Sequence, residues 1–258
     1  MAENKLWSRD EMILVLNLYL KLPFGKMDAR NPAVIHLAQV IGRTPNAVAL
    51  RLVNFAACDP ILKQRGIAGM AHGGKKCAEF WEEFNSDRER LLFESEKILA
   101  NKEHTTVEAK YKPTLRSLPE GMTGETRTRL VKTRVNQNVF RQIVLANYES
   151  RCALTGIDLP ELLVASHVIP WSENEKERLN PENGICLSTL YDSAFDHGLM
   201  TFDQSNKAIF STRLAENVGK EYFSRYFAPI EHAPLAVPRK YRVNPDFLAW
   251  HRDCVFKG

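Results

Sequence analysis

The sequence predicts an α+β protein in which a helical N-terminal half precedes a half that combines short strands with helices. Apolar residues recur at helical spacing through residues 8–57 and again through residues 76–101. Residues 101–128 lose this period and contain several prolines and glycines. Farther along, apolar runs over residues 162–169 and 184–187 have the length of strands.

These shifts in pattern divide the chain into two domains. We expect a helical domain over residues 1–100, a linker over residues 101–128 and a second domain over residues 129–258. A chain of 258 residues is long enough for each domain to bury a core of its own.

Three helices are predicted before residue 57. A capping serine followed three residues later by glutamate begins the first, and proline follows a capping residue at the start of the other two. The residues expected to begin or end these helices are Ser8, Glu11, Pro23, Gly25, Asn31, Pro32, Gly42, Thr44 and Pro45.

The second and third helices, joined by a short turn at Gly42, resemble a helix-turn-helix. Glycine adopts the left-handed conformation that such a turn requires. In DNA-binding examples the second helix enters the major groove and reads base edges with its N-terminal residues. The side chains expected to read bases here are Arg43, Thr44, Asn46 and Arg51. The same pairing of helices occurs in modules that bind no DNA, so a role in protein contacts stays open.

The remaining helices and strands follow from the same reasoning. Residues 76–101 are predicted to form an amphipathic helix that packs on the N-terminal bundle. In the second domain the order expected is a helix over 129–148, strands over 162–169 and 184–187, a helix from Ser188 or Thr189 to His197, a β-hairpin over 199–210, and helices over 218–227 and 245–256.

Composition is that of an ordinary soluble protein, with 44% apolar and 26% charged residues. No apolar run approaches the length that spans a bilayer, and Met1-Ala2-Glu3-Asn4-Lys5 lacks a secretory pattern. We therefore expect a cytoplasmic protein that does not engage a membrane.

Cysteine usage argues against both disulfides and a structural zinc site. The five cysteines are an odd number without a close pair. Cys152 and Cys186 lack a second cysteine three residues away, which four-ligand zinc sites require. Buried free thiols are expected instead.

Positive charge is concentrated in one stretch although the net charge is only +4. Residues 126–148 contain five basic residues and no acidic one, whereas residues 151–258 contain 12 basic and 14 acidic residues. Such a stretch is suited to binding the phosphate backbone of a nucleic acid. The alternative interpretation is a helix face that is only solvated and binds nothing. The five residues are Arg127, Arg129, Lys132, Arg134 and Arg141.

The chemistry of the chain is concentrated in an ordered set of polar residues. Ser166-His167 ends one predicted strand, Asn183-Gly184 begins the next, and Asp192 follows on a short amphipathic helix. This order resembles the ββα-metal (HNH) endonuclease family. The resemblance extends over roughly residues 130–212, with His167-Val168-Ile169-Pro170-Trp171 and Ala194-Phe195-Asp196-His197-Gly198-Leu199 as its most similar segments.

The resemblance implies a role for each residue of this set. His167 corresponds to the general base, Asn183 to the residue that ties down the loop and orients the base, and Asp192 to the metal ligand on the helix. The implied cofactor is Mg²⁺ or Mn²⁺. Ser166 stands where many members carry aspartate, so it is a weaker candidate ligand. Asp196 is expected to brace the helix or pair with an arginine.

The implied protein has an N-terminal all-α, helix-turn-helix-like bundle joined to a C-terminal ββα-metal nuclease domain. Its implied function is metal-dependent cleavage of DNA, in restriction or antiviral defence, with a homodimer as a possible assembly. Two alternatives stay open. One is a catalytically inactive DNA-binding regulator or subunit that uses the same fold, and the other is an RNase toxin.

Overall fold

The computed structural model describes residues 6–23, 25–66, 74–119 and 121–258. The chain divides into two compact units, Met1–Val139 and Phe140–Gly258. This division falls inside a long helix, Gly124–Asn147, rather than near residue 129. The first five residues, on which the expectation about secretion rests, lie outside the described ranges.

The first unit is helical throughout its described ranges. Its helices are α1 (Arg9–Lys21), α2 (Pro32–Ile41), α3 (Pro45–Ala56), α4 (Pro60–Gln64), α5 (Lys75–Asn85), α6 (Arg88–Lys102), α7 (Val107–Lys110), α8 (Lys112–Leu115) and the first part of α9 (Gly124–Asn147). The segment 101–128, expected to be a linker, therefore contains α7, α8 and the beginning of α9.

The predicted starts of the first three helices are confirmed. Ser8 and Glu11 form a reciprocal capping box on α1, Asn31 caps α2 and Thr44 caps α3. Gly42 ends α2 with a φ of 66°, in the left-handed region. Polar caps satisfy backbone N–H groups that a helix leaves unpaired, which is why local sequence suffices to place these ends.

The prediction of a single helix over residues 76–101 is wrong. The chain forms two helices there, α5 and α6. The break lies at Ser86 and Asp87, where the Asp87 carboxylate accepts a hydrogen bond from Arg90 N at 3.0 Å. Apolar spacing continues across this break and masks it, since both helices bury one face in the same unit.

The second unit is built around two antiparallel hairpins. Its elements are the end of α9, β1 (Leu163–His167), β2 (Gly184–Ser188), α10 (Thr189–Asp196), β3 (Met200–Phe202), β4 (Ala208–Phe210), α11 (Thr212–Ala215) and α12 (Pro245–Cys254). β1 pairs with β2 and β3 with β4, so the two predicted strands and the predicted β-hairpin are confirmed.

Two details of the second unit differ from expectation. The helix predicted over residues 218–227 is only partly present, since a π-helical turn spans Phe223–Phe227. The cysteines are free, but Cys58 is half-buried and Cys254 is exposed. Across the described ranges, no helix combines the length and the apolar character needed to cross a membrane.

His251 is a buried histidine that joins α12 to the centre of the second unit. Its ring stacks on Phe195 at a centroid distance of 3.7 Å. Nε2 lies 3.2 Å from the Phe195 carbonyl, and Nδ1 lies 2.9 Å from the Thr201 hydroxyl. A carbonyl only accepts, so Nε2 carries the hydrogen and Nδ1 accepts from Thr201. The neutral ring is therefore fully satisfied, and burial lowers its pKa to about 4.

We expect His251 to make the second unit sensitive to acid. Its pKa rises from about 4 in the folded chain to 6.5 in the unfolded chain, so unfolding takes up a proton between these values. The stabilisation is complete above pH 6.5 and is lost as the pH falls towards 4, by about 3 kcal/mol.

Urea unfolding of the parent and of His251→Asn from pH 7 to pH 4 measures this effect. The difference in unfolding free energy between the two proteins should shrink as the pH falls. A difference that is the same at every pH would contradict the assignment.

Candidate active site

The β1–β2 hairpin positions the predicted histidine opposite a glycine. His167 ends β1 and pairs with Gly184, the first residue of β2. A Cβ atom at Gly184 would lie 2.5 Å from Val144 Cγ2 and 2.9 Å from Phe140 Cζ, closer than side chains pack. Glycine therefore allows α9 to lie directly against the hairpin, and this close approach brings Phe140 to the His167 ring.

The His167 ring is held on three sides. It stacks on Phe140 at a centroid distance of 4.3 Å and meets the edge of Trp171 at 5.6 Å. Its Nε2 lies 2.9 Å from the carbonyl oxygen of Arg178. Because a carbonyl only accepts, Nε2 carries the hydrogen and Nδ1 presents a lone pair. Burial lowers the pKa of His167, although the Arg178 carbonyl acts in the opposite direction. The ring is thus a neutral base near pH 7.

Asn183 closes the loop between the two strands. Its buried side chain accepts a hydrogen bond from Ile169 N at 2.8 Å and donates to Ile169 O at 3.0 Å. It also donates to Glu177 O at 3.2 Å. Glu177 immediately precedes Arg178, whose carbonyl binds His167. Asn183 therefore binds the same loop backbone that carries the carbonyl in contact with His167.

Ser166 and Asp192 come together where β1 faces α10. Ser166 is only 2% exposed. Burial raises the pKa of Asp192, and the neighbouring Ser166 hydroxyl counteracts this rise. The same hydroxyl forms no hydrogen bond of normal geometry with any residue that the structure describes. Consecutive strand residues point to opposite faces, so His167 faces α9 while Ser166 faces α10.

A second carboxylate, Asp196, lies one helical turn beyond Asp192. Partial burial and the charge of Asp192 raise the pKa of Asp196 to about 6. The expected arginine partner is absent from the ion pairs within the described ranges. Asp196 is instead the second acid on this face of α10.

The residues on this face fit a divalent cation. Two carboxylates whose pKa values are raised and a buried hydroxyl without a normal partner are all hard oxygen donors. Among the described residues, no three His, Cys, Asp or Glu side chains converge as a ligand set. A cation here would complete its coordination with water and substrate phosphate, as Mg²⁺ commonly does.

Two of the residues expected to read DNA bases are occupied by contacts within the first unit. Arg43 donates to both Glu11 carboxylate oxygens at 3.0 and 2.9 Å, and its side chain is 12% exposed. Arg43 and Arg51 also lie over the Trp7 ring, at 4.6 and 4.8 Å. This placement opposes the expected role of both arginines. Thr44 and Asn46 are exposed, and the Thr44 hydroxyl caps α3.

The five basic residues of α9 differ in their surroundings. Lys132 lies 3.3 Å from Glu89, and Arg141 donates to the Pro160 carbonyl at 2.8 Å. The other three have exposed side chains and suit contact with phosphate; they are Arg127, Arg129 and Arg134.

The sequence analysis missed two residues that support His167, namely Phe140 and Arg178. In the sequence, Phe140 looks like an ordinary core residue of a helix. Arg178 gives no signal in the sequence, because it contacts His167 with its backbone carbonyl and not with its side chain.

Comparison with known families identifies the region that contains these residues. Residues 152–203 match the family model described as HNH endonuclease, and no curated protein matches the chain. The matched interval contains β1, β2 and α10, with Ser166, His167, Asn183 and Asp192. The predicted HNH resemblance is confirmed. Such a domain points to a nuclease acting on nucleic acid, whereas the match does not extend to the helix-turn-helix-like segment.

Proposed function

We propose that this protein is a metal-dependent DNA endonuclease in which His167 is the general base. The observation that carries the proposal is the 2.9 Å contact between His167 Nε2 and the Arg178 carbonyl oxygen, from which the tautomer of the ring follows. The Arg178 carbonyl holds hydrogen on Nε2 and leaves Nδ1 able to take a proton. A histidine whose pKa is lowered by burial is deprotonated at neutral pH, as a base for water must be.

In the proposed reaction a water molecule attacks phosphorus and the bond to the 3′ oxygen breaks. His167 Nδ1 takes the proton from this water, and the Arg178 carbonyl stabilises the imidazolium that forms. Asn183 keeps that carbonyl in place by closing the loop. A cation held by Asp192 and Ser166, with Asp196 beside them, would supply Lewis-acid stabilisation of the phosphate and the leaving oxygen. Ser166 and His167 are the last two residues of β1, so the proposal requires the phosphate to lie across the end of this strand, between the base on the α9 face and the cation on the α10 face. The products carry a 5′ phosphate and a 3′ hydroxyl.

A nicking assay on supercoiled plasmid tests the proposal. Cleavage that requires Mg²⁺ or Mn²⁺ and stops with a chelator supports it. A parallel digestion of RNA of matched length tests the RNase alternative. DNA binding without cleavage under any divalent cation would favour the inactive regulator, an alternative that rests on the neutral Ser166 beside Asp192.

We propose that the exposed arginines of α9 contact the DNA backbone. Replacing Arg127, Arg129 and Arg134 together with alanine should weaken DNA binding without changing its sequence preference, since phosphates carry no sequence information. Each lost contact should reduce the slope of log affinity against log salt by about 0.9 on duplex DNA. Fluorescence anisotropy over a salt series measures this slope.

Lys132→Ala, which removes an ion-paired cation from the same helix, is the matched control and should change the slope less. An unchanged slope in the triple variant would exclude these arginines from the DNA interface.

Thr44, which caps α3, and Asn46, at the start of α3, are the residues that we retain as candidates for base reading, because both are exposed. Asn46→Ala should then alter which sites are cut rather than the overall rate. If the pattern of cut sites is unchanged, the first unit serves protein contacts instead.

We further propose a cytoplasmic role in restriction or antiviral defence, with a homodimer or two binding events for cutting both strands. Cells that express the parent should give fewer phage plaques than cells that express His167→Ala. Equal plating would oppose the defence role, and sedimentation of the purified protein tests the dimer.

A further inference from the structure

The turn at Phe223–Phe227 presents two tyrosines to solvent beside the helix that carries Asp192. Tyr222 is 43% exposed and Tyr226 is 48% exposed. Residues four apart lie on one side of a helical turn, so the two rings share a face. Phe223 and Phe227, the next residues along, point about a quarter turn away and are buried. The turn is therefore anchored by phenylalanine and exposes tyrosine.

Aromatic packing fixes the inner side of this turn. Phe223 and Phe227 each meet the Phe210 ring edge-on at a centroid distance of 6.0 Å. Phe227 also meets Tyr191 edge-on at 6.1 Å. These contacts hold the backbone of the turn in place, so binding has to order only the side chains of the two exposed tyrosines.

One hydrogen bond joins the turn to the candidate active site. The Tyr191 hydroxyl donates to the carbonyl oxygen of Tyr226 at 2.6 Å. Tyr191 directly precedes Asp192 on α10, so the tyrosine face is tied to the helix that would hold the cation. Leu190, the preceding residue, is also exposed at 43%.

We propose that Tyr222 and Tyr226 form a stacking platform for unpaired nucleobases next to the cleavage site. Aromatic side chains stack on any base and give binding without sequence readout. Lys220 and Arg225 are both exposed on the same segment and suit the accompanying phosphates. Each also has a partner in the chain, since Lys220 donates to the Asn217 side chain at 2.7 Å and Arg225 pairs with Glu221 at 2.6 Å. The proposal rests on the nuclease function and extends it, because it names strands with unpaired bases as the preferred substrate.

Binding of short fluorescent oligonucleotides, with EDTA present to prevent cleavage, tests the platform independently of activity. Tyr222→Ala and Tyr226→Ala should each weaken binding to single-stranded DNA by about 5-fold to 150-fold. Binding to a blunt duplex of the same sequence should change by less than about twofold. Single-stranded RNA is included because base stacking does not distinguish the sugars.

Matched variants separate stacking on the tyrosine rings from hydrogen bonding by their hydroxyls and from general apolar contact. Tyr222→Phe and Tyr226→Phe keep the ring and should bind like the parent. Val218→Ala removes an exposed apolar side chain from the same segment and should have no effect on binding. The stacking proposal would be overturned if the alanine variants lost affinity equally for duplex and single-stranded DNA, or if the phenylalanine variants also lost affinity.

Sedimentation of the same variants tests whether a second copy of the chain, instead of a nucleic acid, covers the two tyrosines. If the tyrosine variants and Val218→Ala shift a parent dimer to monomer, this face is a protein interface and the proposal is wrong. Failure of the nuclease proposal would instead show as a parent that binds single strands but cuts none.

Discussion

Replacing His167 with alanine is expected to reduce cleavage by about 10²–10⁴-fold, the usual effect of losing a positioned general base. DNA affinity should stay close to that of the parent, because the proposed base acts in the chemical step. The ring stacks on Phe140, so removing it also leaves a space in the packing. His167→Gln fills more of this space and should be equally inactive. Full activity in either variant would refute the assignment.

The pH profile of the parent provides a second test of the same residue. A base is active when deprotonated, and burial lowers the pKa of His167 below its ordinary value of 6.5. Activity should therefore be constant around neutral pH and fall only on the acid side, below pH 6.5. A rate that continues to rise through pH 8 would mean that a different group accepts the proton. Thermal unfolding at each pH separates this loss from acid unfolding.

Local sequence was sufficient for the features that local physics decides. The caps at Ser8, Asn31 and Thr44 and the turn at Gly42 depend on residues within one helical turn. The β3–β4 hairpin likewise follows from two short apolar runs separated by turn residues. The order of His167, Asn183 and Asp192 is also local, which is why a family resemblance could be stated on them.

Contacts between residues distant in sequence could not be predicted in this way. Arg43 looked like a base-reading residue because only its place at the start of α3 was visible. Its partner Glu11 lies 32 residues earlier, and nothing in the pattern links the two. Similarly, Phe140 reaches His167 only because Gly184 has no side chain between α9 and the hairpin. Tertiary packing therefore decides which polar groups remain available to a ligand.

The electrostatics of α10 also depended on the fold. Asp196 was expected to brace the helix, and the surroundings that raise its pKa could not be read from the residues next to it in sequence. The pKa of about 6 follows from partial burial and from Asp192 one turn away. Without a cation, two neighbouring acids favour the state in which one of them is protonated, whereas a bound cation would favour the state in which both are ionised. This distinction leads to an experiment on Asp192.

Asp192→Asn is expected to slow metal-dependent cleavage by on the order of 10³-fold, because Lewis-acid catalysis stabilises the transition state by several kcal/mol. It should also weaken Mn²⁺ binding in calorimetry, because an amide is a poorer ligand than a carboxylate for a hard cation. Asp196→Asn is the matched control, with the same change one turn along α10. We expect a smaller loss of Mn²⁺ affinity there, because the Ser166 hydroxyl lies beside Asp192.

The metal-free protein gives a readout that does not depend on activity. Burial is the larger cause of the raised pKa of Asp196 and the charge of Asp192 is the next, so Asp192→Asn should lower this pKa from about 6 by part of the way to its ordinary value. Carbon-detected NMR titration of the Asp196 carboxyl measures this shift. If the pKa falls but Mn²⁺ binds as in the parent, the two acids interact and the cation is held elsewhere, with Asp196 as the next ligand to test. If neither the pKa of Asp196 nor the affinity for Mn²⁺ changes, Asp192 contacts neither Asp196 nor the cation, and the metal site proposed on α10 is wrong.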